Sequence, residues 1–422
     1  MGVTSVIKFE NAPFEIIDGD RGKNYPKQHE FLNKGHCLFL SAKNVTNDGF
    51  IFTECQFISK EKDNSLRKGK MQPDDVVLTT RGTVGNVAYY SSRIPFDNIR
   101  INSGMVILRP EKSSVLPSYL YYFLKSTLFH QQVNSFISGV AQPQLPISDM
   151  KHMKIFIPPL KVQDKIAAIL SAYDDLIENN LRRIKILEEM AQNLYREWFV
   201  NFRFPGHENT HFVDSPLGKI PEGWEIKQLG EMADQMRKSI DPVSLDSETP
   251  YIGLEHIPRK SITQTSWGFA NEVQSTKLEF RKEDIIFGKI RPYFHKVVFA
   301  PITGICSSDA IVMRAKAPDY FGLVLGCTSS SEFIEHATAT SQGTKMPRAN
   351  WDVLSKYQIP VPTHSILCQY NGLINNITHR LSNFVFQNIN LRQTRDLLLP
   401  KLISGEVDVS ELDIKVPEEV AI

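Results

Sequence analysis

The chain is written twice, and this limits its possible folds more than any other feature. DDVVLTTRGTVGNV (Asp74 to Val87) and EDIIFGKIRPYFHKV (Glu283 to Val297) each run from an acidic step through a β-branched stretch to a cation before a turn. The correspondence extends in both directions. CLFLSAKNV (37–45) matches PYIGLEHI (250–257), and RINSGMVILRP (100–110) matches GICSSDAIVMRA (304–315). SGVAQPQLP (138–146) matches SQGTKMPRAN (341–350), and KIFIPPL (154–160) matches YQIPVPT (357–363). The order is conserved between copies and the offset stays near about 200 residues, too long for a solenoid period and suited to a duplicated domain.

Within each copy the apolar runs are short, β-branched and broken by Gly, Pro, Asn and Asp, which predicts strands and turns. Tyr119 to Val133 and Tyr320 to Ala337 predict one helix per copy, so each globule is read as α+β. Behind each globule the texture changes. No Gly or Pro occurs between Pro159 and Pro205, and Ile166, Leu170, Tyr173, Ile177, Ile184, Leu187, Ala191, Leu194 and Trp198 fall at three- and four-residue steps. That is a heptad seam on a helix roughly 50 Å long. A second seam runs through Tyr370, Ile374, Ile377, Leu381, Phe384, Leu391, Leu398 and Leu402. Each seam carries one asparagine near its middle, Asn180 at a d position and Asn388 at an a position. Antiparallel pairing with Trp198 beside Tyr370 sets Asn180 opposite Asn388 and Ile166 opposite Leu402. A buried polar pair penalises slipped registers. Arg395 and Pro400 interrupt the second seam and predict fraying or bending there.

With 422 residues and 41% hydrophobic side chains, the chain can bury two or three cores. Its net charge of +1 gives no bulk field for nucleic acid, so any such contact must come from local clusters or from a partner. Five widely spaced cysteines, none in C-x-x-C spacing, indicate neither a disulfide framework nor a zinc site. No apolar run reaches signal-peptide or membrane-span length, which points to the cytoplasm.

At the level of motifs, Pro158 to Phe199 (PPLKVQDKIAAILSAYDDLIENNLRRIKILEEMAQNLYREWF) resembles the central conserved region of the specificity subunits of type I restriction-modification enzymes. SPLGKIPEGWEIKQLGE (215–231), EDIIFGKIRPYFHKV and LLLPKLISGEV (397–407) are similar to stretches of the same family, as are DDVVLTTRGTVGNV and FEIIDGDRGKNYP (14–26) in the first copy. The resemblance covers essentially the whole chain. It implies two target-recognition domains separated by a pair of long antiparallel coiled-coil helices with pseudo-twofold symmetry. The segments expected are recognition domain 1 over 1–158, spacer helix 1 over 159–203, a linker over 204–223, recognition domain 2 over 224–362, spacer helix 2 over 363–405 and a loosely ordered acidic tail over 406–422. The resemblance further implies a non-catalytic subunit that reads a split, asymmetric sequence in double-stranded DNA. Its implied partners are two modification (methyltransferase) subunits and the restriction (translocase/nuclease) subunits. No cofactor is expected on this chain; S-adenosylmethionine and ATP belong to the partner subunits.

DNA readers need cations, amides and hydroxyls on turns that reach a groove. Arg81 and Thr83 sit in TTRGTVGNV, where Gly82 and Gly85 permit close backbone approach. Lys289, Arg291, Tyr293 and His295 alternate, so on a strand they share one face. Gln142 and Gln144 in the first copy, matched by Gln342, Lys345 and Arg348 in the second, are further candidates, as are Arg21 and Lys23 in DGDRGKN. The helix-pairing set is Ile166, Leu170, Ile177, Asn180, Leu187, Trp198, Tyr370, Leu381, Asn388 and Leu402. On the outer face of the first helix, Asp174, Asp175, Glu178, Arg182, Arg183, Lys185, Glu188 and Glu189 offer a docking surface. Tyr195, Trp198, Phe199 and Phe202 either face outward as an interface or pack a globule onto the helix.

The competing class is a stand-alone methyltransferase or nuclease. An adenine methyltransferase needs a [DNS]-P-P-[YF] loop, yet the one double proline is in IPPLK and no G-x-G occurs. A P-loop and an H-E-x-x-H motif are also missing. A purely structural coiled-coil adaptor explains the helices but not the duplicated globules.

Overall fold

The computed structural model describes residues 5–137, 139, 143–343 and 345–415. They divide into two units, one of residues up to 176 together with those from 391 onward, the other of residues 177–390. The division cuts both long helices, so each unit holds a stretch of each.

In the first unit an antiparallel sheet runs in the order Phe14–Asp18, Met105–Pro110, Val76–Thr79, Val87–Tyr89. A second sheet places Cys37–Leu40 between Phe57–Ile58 and Ile99–Ile101, the pairing with Ile99–Ile101 being parallel. Ser5–Lys8 pairs with Lys154–Ile157 at the point where the chain enters the first long helix. The second unit repeats this plan. Ala233–Met236, Ala310–Ala315, Ile285–Gly288 and Val297–Phe299 form the antiparallel sheet in the same order. Pro250–Ile252 lies parallel to Gly304–Cys306, and Glu225–Gln228 pairs with Gln358–Val361 ahead of the second long helix. The second sheet of this unit has five strands where the first unit has three. The β-branched runs occupy the central strands because they are buried on both faces: Val76, Val77 and Leu78 are fully buried, as are Ile285 and Ile286.

The single helix expected in each copy is two helices. Pro117–Lys125 and Thr127–Phe136 meet at Ser126, and Phe321–Thr328 is followed by Ser331–Ala339. Ser126 and Ser330 take extended backbone angles and accept N-cap bonds from Phe129 N (3.3 Å) and Phe333 N (3.2 Å), which restarts the helix on a new axis.

The long helices span Leu160–Tyr195, continued by a π-turn over Arg196–Val200, and His364–Ser404. The second runs on through Pro400 to Ser404 without the fraying expected there. The expected linker contains a hairpin, Phe212–Ser215 with Gly218–Pro221. Most of the described tail is exposed, with an anchor at one point. Val409 is buried in the first unit's core, and Lys165 Nζ donates to Ser410 O at 2.6 Å. Residues 416–422 lie outside the described residues.

Candidate nucleic-acid interface

In the first unit the strand Val76–Thr79 ends in a turn held from several sides. Thr80 N and Arg81 N donate to Gly104 O at 2.8 and 3.1 Å, and Leu145 N donates to Thr80 O at 2.9 Å. Arg81 and Gln144 face each other in an antiparallel bridge. Gly82 and Gly85 have φ of 77° and 99°, the left-handed region that favours glycine, and Thr79 Oγ1 accepts from Asn86 N at 2.9 Å to close the turn. Arg81 and Thr83 are exposed at its tip. Arg21 reaches the same neighbourhood, donating to Ser103 O at 3.4 Å and to Asp18 at 3.1 Å. Its loop is organised by buried Asp20, which accepts from Gly22 N and Arg67 N, both at 2.7 Å. Backbone and side-chain contacts thus link Arg21, Ser103, Gly104, Arg81 and Gln144 into one polar edge, with Lys23 exposed beside Arg21. Gln142 lies outside the described residues.

The second unit builds the same crossing. Lys289 N donates to Asp309 O at 2.9 Å, and Ala349 N donates to Lys289 O at 2.9 Å, equivalent to the Thr80 and Leu145 bonds. Ile290 bridges Arg348, as Arg81 bridges Gln144, and Gln342 bridges Arg348 in turn. Gln342, Lys345 and Arg348 are exposed, and Arg348 pairs with Asp309 at 3.5 Å.

Lys289, Arg291, Tyr293 and His295 do not share a strand face. The strand ends at Gly288, Pro292–Phe294 is a 3₁₀ turn, and Arg291 and His295 take left-handed φ of 51° and 52°. The strand stops where its counterpart Val76–Thr79 stops in the first unit, and Pro292, with no N–H and a fixed φ, opens the 3₁₀ turn. Tyr293 is exposed and Lys289 half-buried. Arg291 lies 5.8 Å from the Phe294 ring, with its Nε buried and unpartnered. His295 turns inward, its Nε2 2.8 Å from Ser329 O. Burial pushes its pKa down, the Ser329 bond opposes that, and Lys260 adds to the lowering, so the ring is neutral and Nε2–H donates. Arg259 and Lys260 were missed in the sequence. Arg259 stacks 4.1 Å over Phe294, and Lys260 N donates to His295 O at 2.8 Å. The basic pair after proline in HIPRKS was the available signal.

Helix pairing can be followed inside each unit. In the first, Ile166 and Leu170 share a core with Leu399, Leu402 and Ile403. In the second, Asn180 Nδ2 donates to Asn388 Oδ1 at 2.9 Å, both buried, and Trp198 lies 5.5 Å from Tyr370, ring centroid to centroid. Ile177 and Leu381 are buried, and Leu187 packs partly buried against the same core as Leu381. Tyr195, Trp198 and Phe199 are buried and Phe202 packs partly buried against Trp224, so these aromatics face the second unit's core. The outer charged face is not uniformly free for docking. Asp174 accepts from Tyr122 Oη at 2.8 Å and is paired with Arg395, which explains a cation in the seam. Glu188 accepts from Ser261 Oγ at 2.5 Å and from Ile262 N and Thr263 N at 3.0 Å, fastening helix to globule.

A family model for the type I restriction modification DNA specificity domain matches residues 14–189 and again 221–395. The chain belongs to the type I restriction-modification specificity-subunit family. It is 28% identical to the MjaIX specificity subunit of Methanocaldococcus jannaschii, covering 90% of this chain and 88% of that protein. It is 24% identical to the HindI specificity subunit of Haemophilus influenzae, covering 92% and 98%. Its fold resembles the crystal structure of an S subunit from M. genitalium, with a TM-score of 0.57 at 14% identity over 95% of this chain and 96% of that one. Among the described residues no helix is long and apolar enough to cross a membrane.

Proposed function

We propose that this chain is the non-catalytic DNA reader of a type I restriction-modification complex, each recognition domain contacting one half of a split, asymmetric target. The observation that carries the reading is the repeated crossing. In both units a strand-end turn, Thr80–Thr83 or Lys289–Arg291, is pinned by the same backbone bonds to the loop bearing Gln144 or Arg348. Two equivalent platforms with different side chains suit two half-sites with different sequences. Glutamine can bridge an adenine edge and arginine a guanine edge, while lysines serve phosphates. The proposed DNA contacts are Arg21, Lys23, Arg81, Thr83, Gln142, Gln144, Lys289, Tyr293, Gln342, Lys345 and Arg348. Arg291 and His295 act one step back, shaping the turn. The paired helices serve as a spacer of fixed length and as the scaffold for two modification subunits and the restriction subunits in the cytoplasm. S-adenosylmethionine and ATP bind those partners.

The test is sequencing of modified adenines in DNA from cells producing this chain with its cognate modification subunit, against cells producing that subunit alone. A split motif methylated only when both are present supports the reading. Identical methylation in the two, with a verified assembled complex, overturns it.

A further inference from the structure

The start of the second long helix carries a side-chain cluster that DNA reading does not use. His364 is the first residue of the helix and Cys368 lies one turn on, so both project from one face. Asp319, from the 3₁₀ turn Pro318–Tyr320, meets them. Cys368 Sγ lies 3.7 Å from His364 Nδ1, which is 4.0 Å from Asp319 Oδ2, and one ligand atom from each residue falls within 4.8 Å of the others. Ligands about 2.0–2.3 Å from a tetrahedral ion lie roughly 3.3–3.7 Å apart. The donor atoms thus stand at or up to about 1 Å beyond the spacing a bound ion requires, and His364, whose Nε2 lies 3.5 Å from Cys368 Sγ, turns one ring nitrogen toward the ion on binding.

We propose that Asp319, His364 and Cys368 form a binding site for a borderline-soft divalent cation of the zinc class. The donor set selects that class. One thiolate, one imidazole and one carboxylate suit zinc or cobalt(II), whereas magnesium and calcium require mostly oxygen ligands. The charges also balance, with thiolate and carboxylate offsetting a dication around a neutral imidazole. Without an ion, desolvation and then the Asp319 carboxylate raise the Cys368 pKa; bound metal reverses this by stabilising the thiolate. His364 is 79% exposed at its side chain, so an ion can enter without unfolding, and a fourth position stays open to water. The site clips the Pro318–Tyr320 turn to the start of the long helix.

The cluster belongs to one copy only. The strands Lys154–Ile157 and Gln358–Val361 lead into the two long helices after equal gaps, and the first helix carries Leu160 and Asp164 where the second carries His364 and Cys368. In the first copy the same junction is closed by Gln163, which accepts from Leu116 N at 2.8 Å and donates to Ser114 O at 3.0 Å. Leu367 stands at that place in the second copy and can make neither bond. In the second copy the amide tie is made one turn further on, where Asn371 Oδ1 accepts from Gly322 N at 2.8 Å, and the metal site adds a second fastening beside it.

The experiment titrates the untagged, metal-stripped full chain with cobalt(II) and follows the thiolate-to-cobalt charge-transfer absorption, then displaces cobalt with zinc. One equivalent should give the band, and zinc should abolish it. Cys368→Ser should remove the band, while Cys55→Ser, which changes the other partly exposed thiol, should retain it. His364→Ala and Asp319→Asn should each weaken binding by more than about 10-fold, since even outer-shell partners of a metal contribute that much. These side chains are largely at the surface, so circular dichroism should show all variants folded. Absence of the band in the wild type, or a band that survives Cys368→Ser, overturns the proposal.

Discussion

Asp75 and Asp284 each accept two hydrogen bonds from one guanidinium, that of Arg109 at 2.8 and 2.8 Å and that of Arg314 at 2.7 and 2.7 Å. Each also accepts from a backbone N–H at 2.7 Å, Gln72 and Arg281 respectively. The residue before each, Asp74 or Glu283, holds a left-handed φ of 75° or 72°. The acidic step that opens both copies is therefore a latch for the strand entry and not a ligand for anything outside. Asp284 is 2% exposed at its side chain and Arg314 34%, so removing the carboxylate leaves a partly solvated guanidinium and an orphaned N–H. Asp284→Ala is expected to lower unfolding free energy by about 3 kcal/mol, the low end for breaking a buried pair because Arg314 still reaches water. Urea denaturation checks this, with Asp284→Ala/Arg314→Met recovering part of the loss; a midpoint unchanged in Asp284→Ala would contradict the latch. The sequence displayed the acids but not their partners, which lie about 30 residues on and become neighbours only through the sheet register. Arg291 and His295 were misplaced for a related reason. A period-2 pattern reads as a strand face wherever it runs, and no local pattern states that the strand stops at Gly288 and that the residues after it form a compact turn.

The long helices were the most legible elements, because a seam sustained over many turns is a strong periodic signal and the two asparagines mark its register. Less legible were interruptions made by single serines, since Ser126 and Ser330 break helices through local bonds that compete with the helical ladder. Which charged residues are solvated and which dock a globule was also hidden, as Asp174 and Glu188 show. The asparagine pair makes a prediction at this scale. Asn388 Nδ2 is buried without a hydrogen-bond partner, so the pair is satisfied on one side and unsatisfied on the other. Asn180→Leu alone removes the 2.9 Å bond and strands a second polar group of Asn388, which should cost about 1–3 kcal/mol. The double change Asn180→Leu/Asn388→Leu replaces both amides with apolar groups and should match or exceed the wild type in thermal stability. Thermal unfolding of the three proteins decides it. If the double variant is the least stable, the pair contributes net stability of its own instead of specifying register.

For the whole molecule the governing number is the net charge, +1 from 48 cations and 47 anions over 422 residues. A reader of DNA with so little field must concentrate cations at its platforms. The exposed cations at the proposed platforms are Arg21, Lys23 and Arg81 in the first unit and Lys345 and Arg348 in the second, joined by Arg259 and Lys260 beside the Pro292–Phe294 turn, with half-buried Lys289 left out of the count. Two are already shared with carboxylates, Arg21 with Asp18 and Arg348 with Asp309. If all seven met phosphates, the logarithm of the binding constant would fall against the logarithm of salt with a slope of about −6, and with the shared pair discounted about −4.5. An enzyme complex that encircles a duplex adds its partners' cations and steepens that slope. Taken with the proposed function, this predicts that the isolated chain binds an oligonucleotide carrying its target weakly and with a slope no steeper than about −6. Addition of the modification subunits should tighten binding and steepen the dependence together. Fluorescence anisotropy across a salt series measures both. Tight, sequence-selective binding by the chain alone would mean that the platforms suffice without partners. A slope unchanged by those partners would place the whole phosphate contact on this chain, and either result would overturn the expectation that the partners supply the missing field.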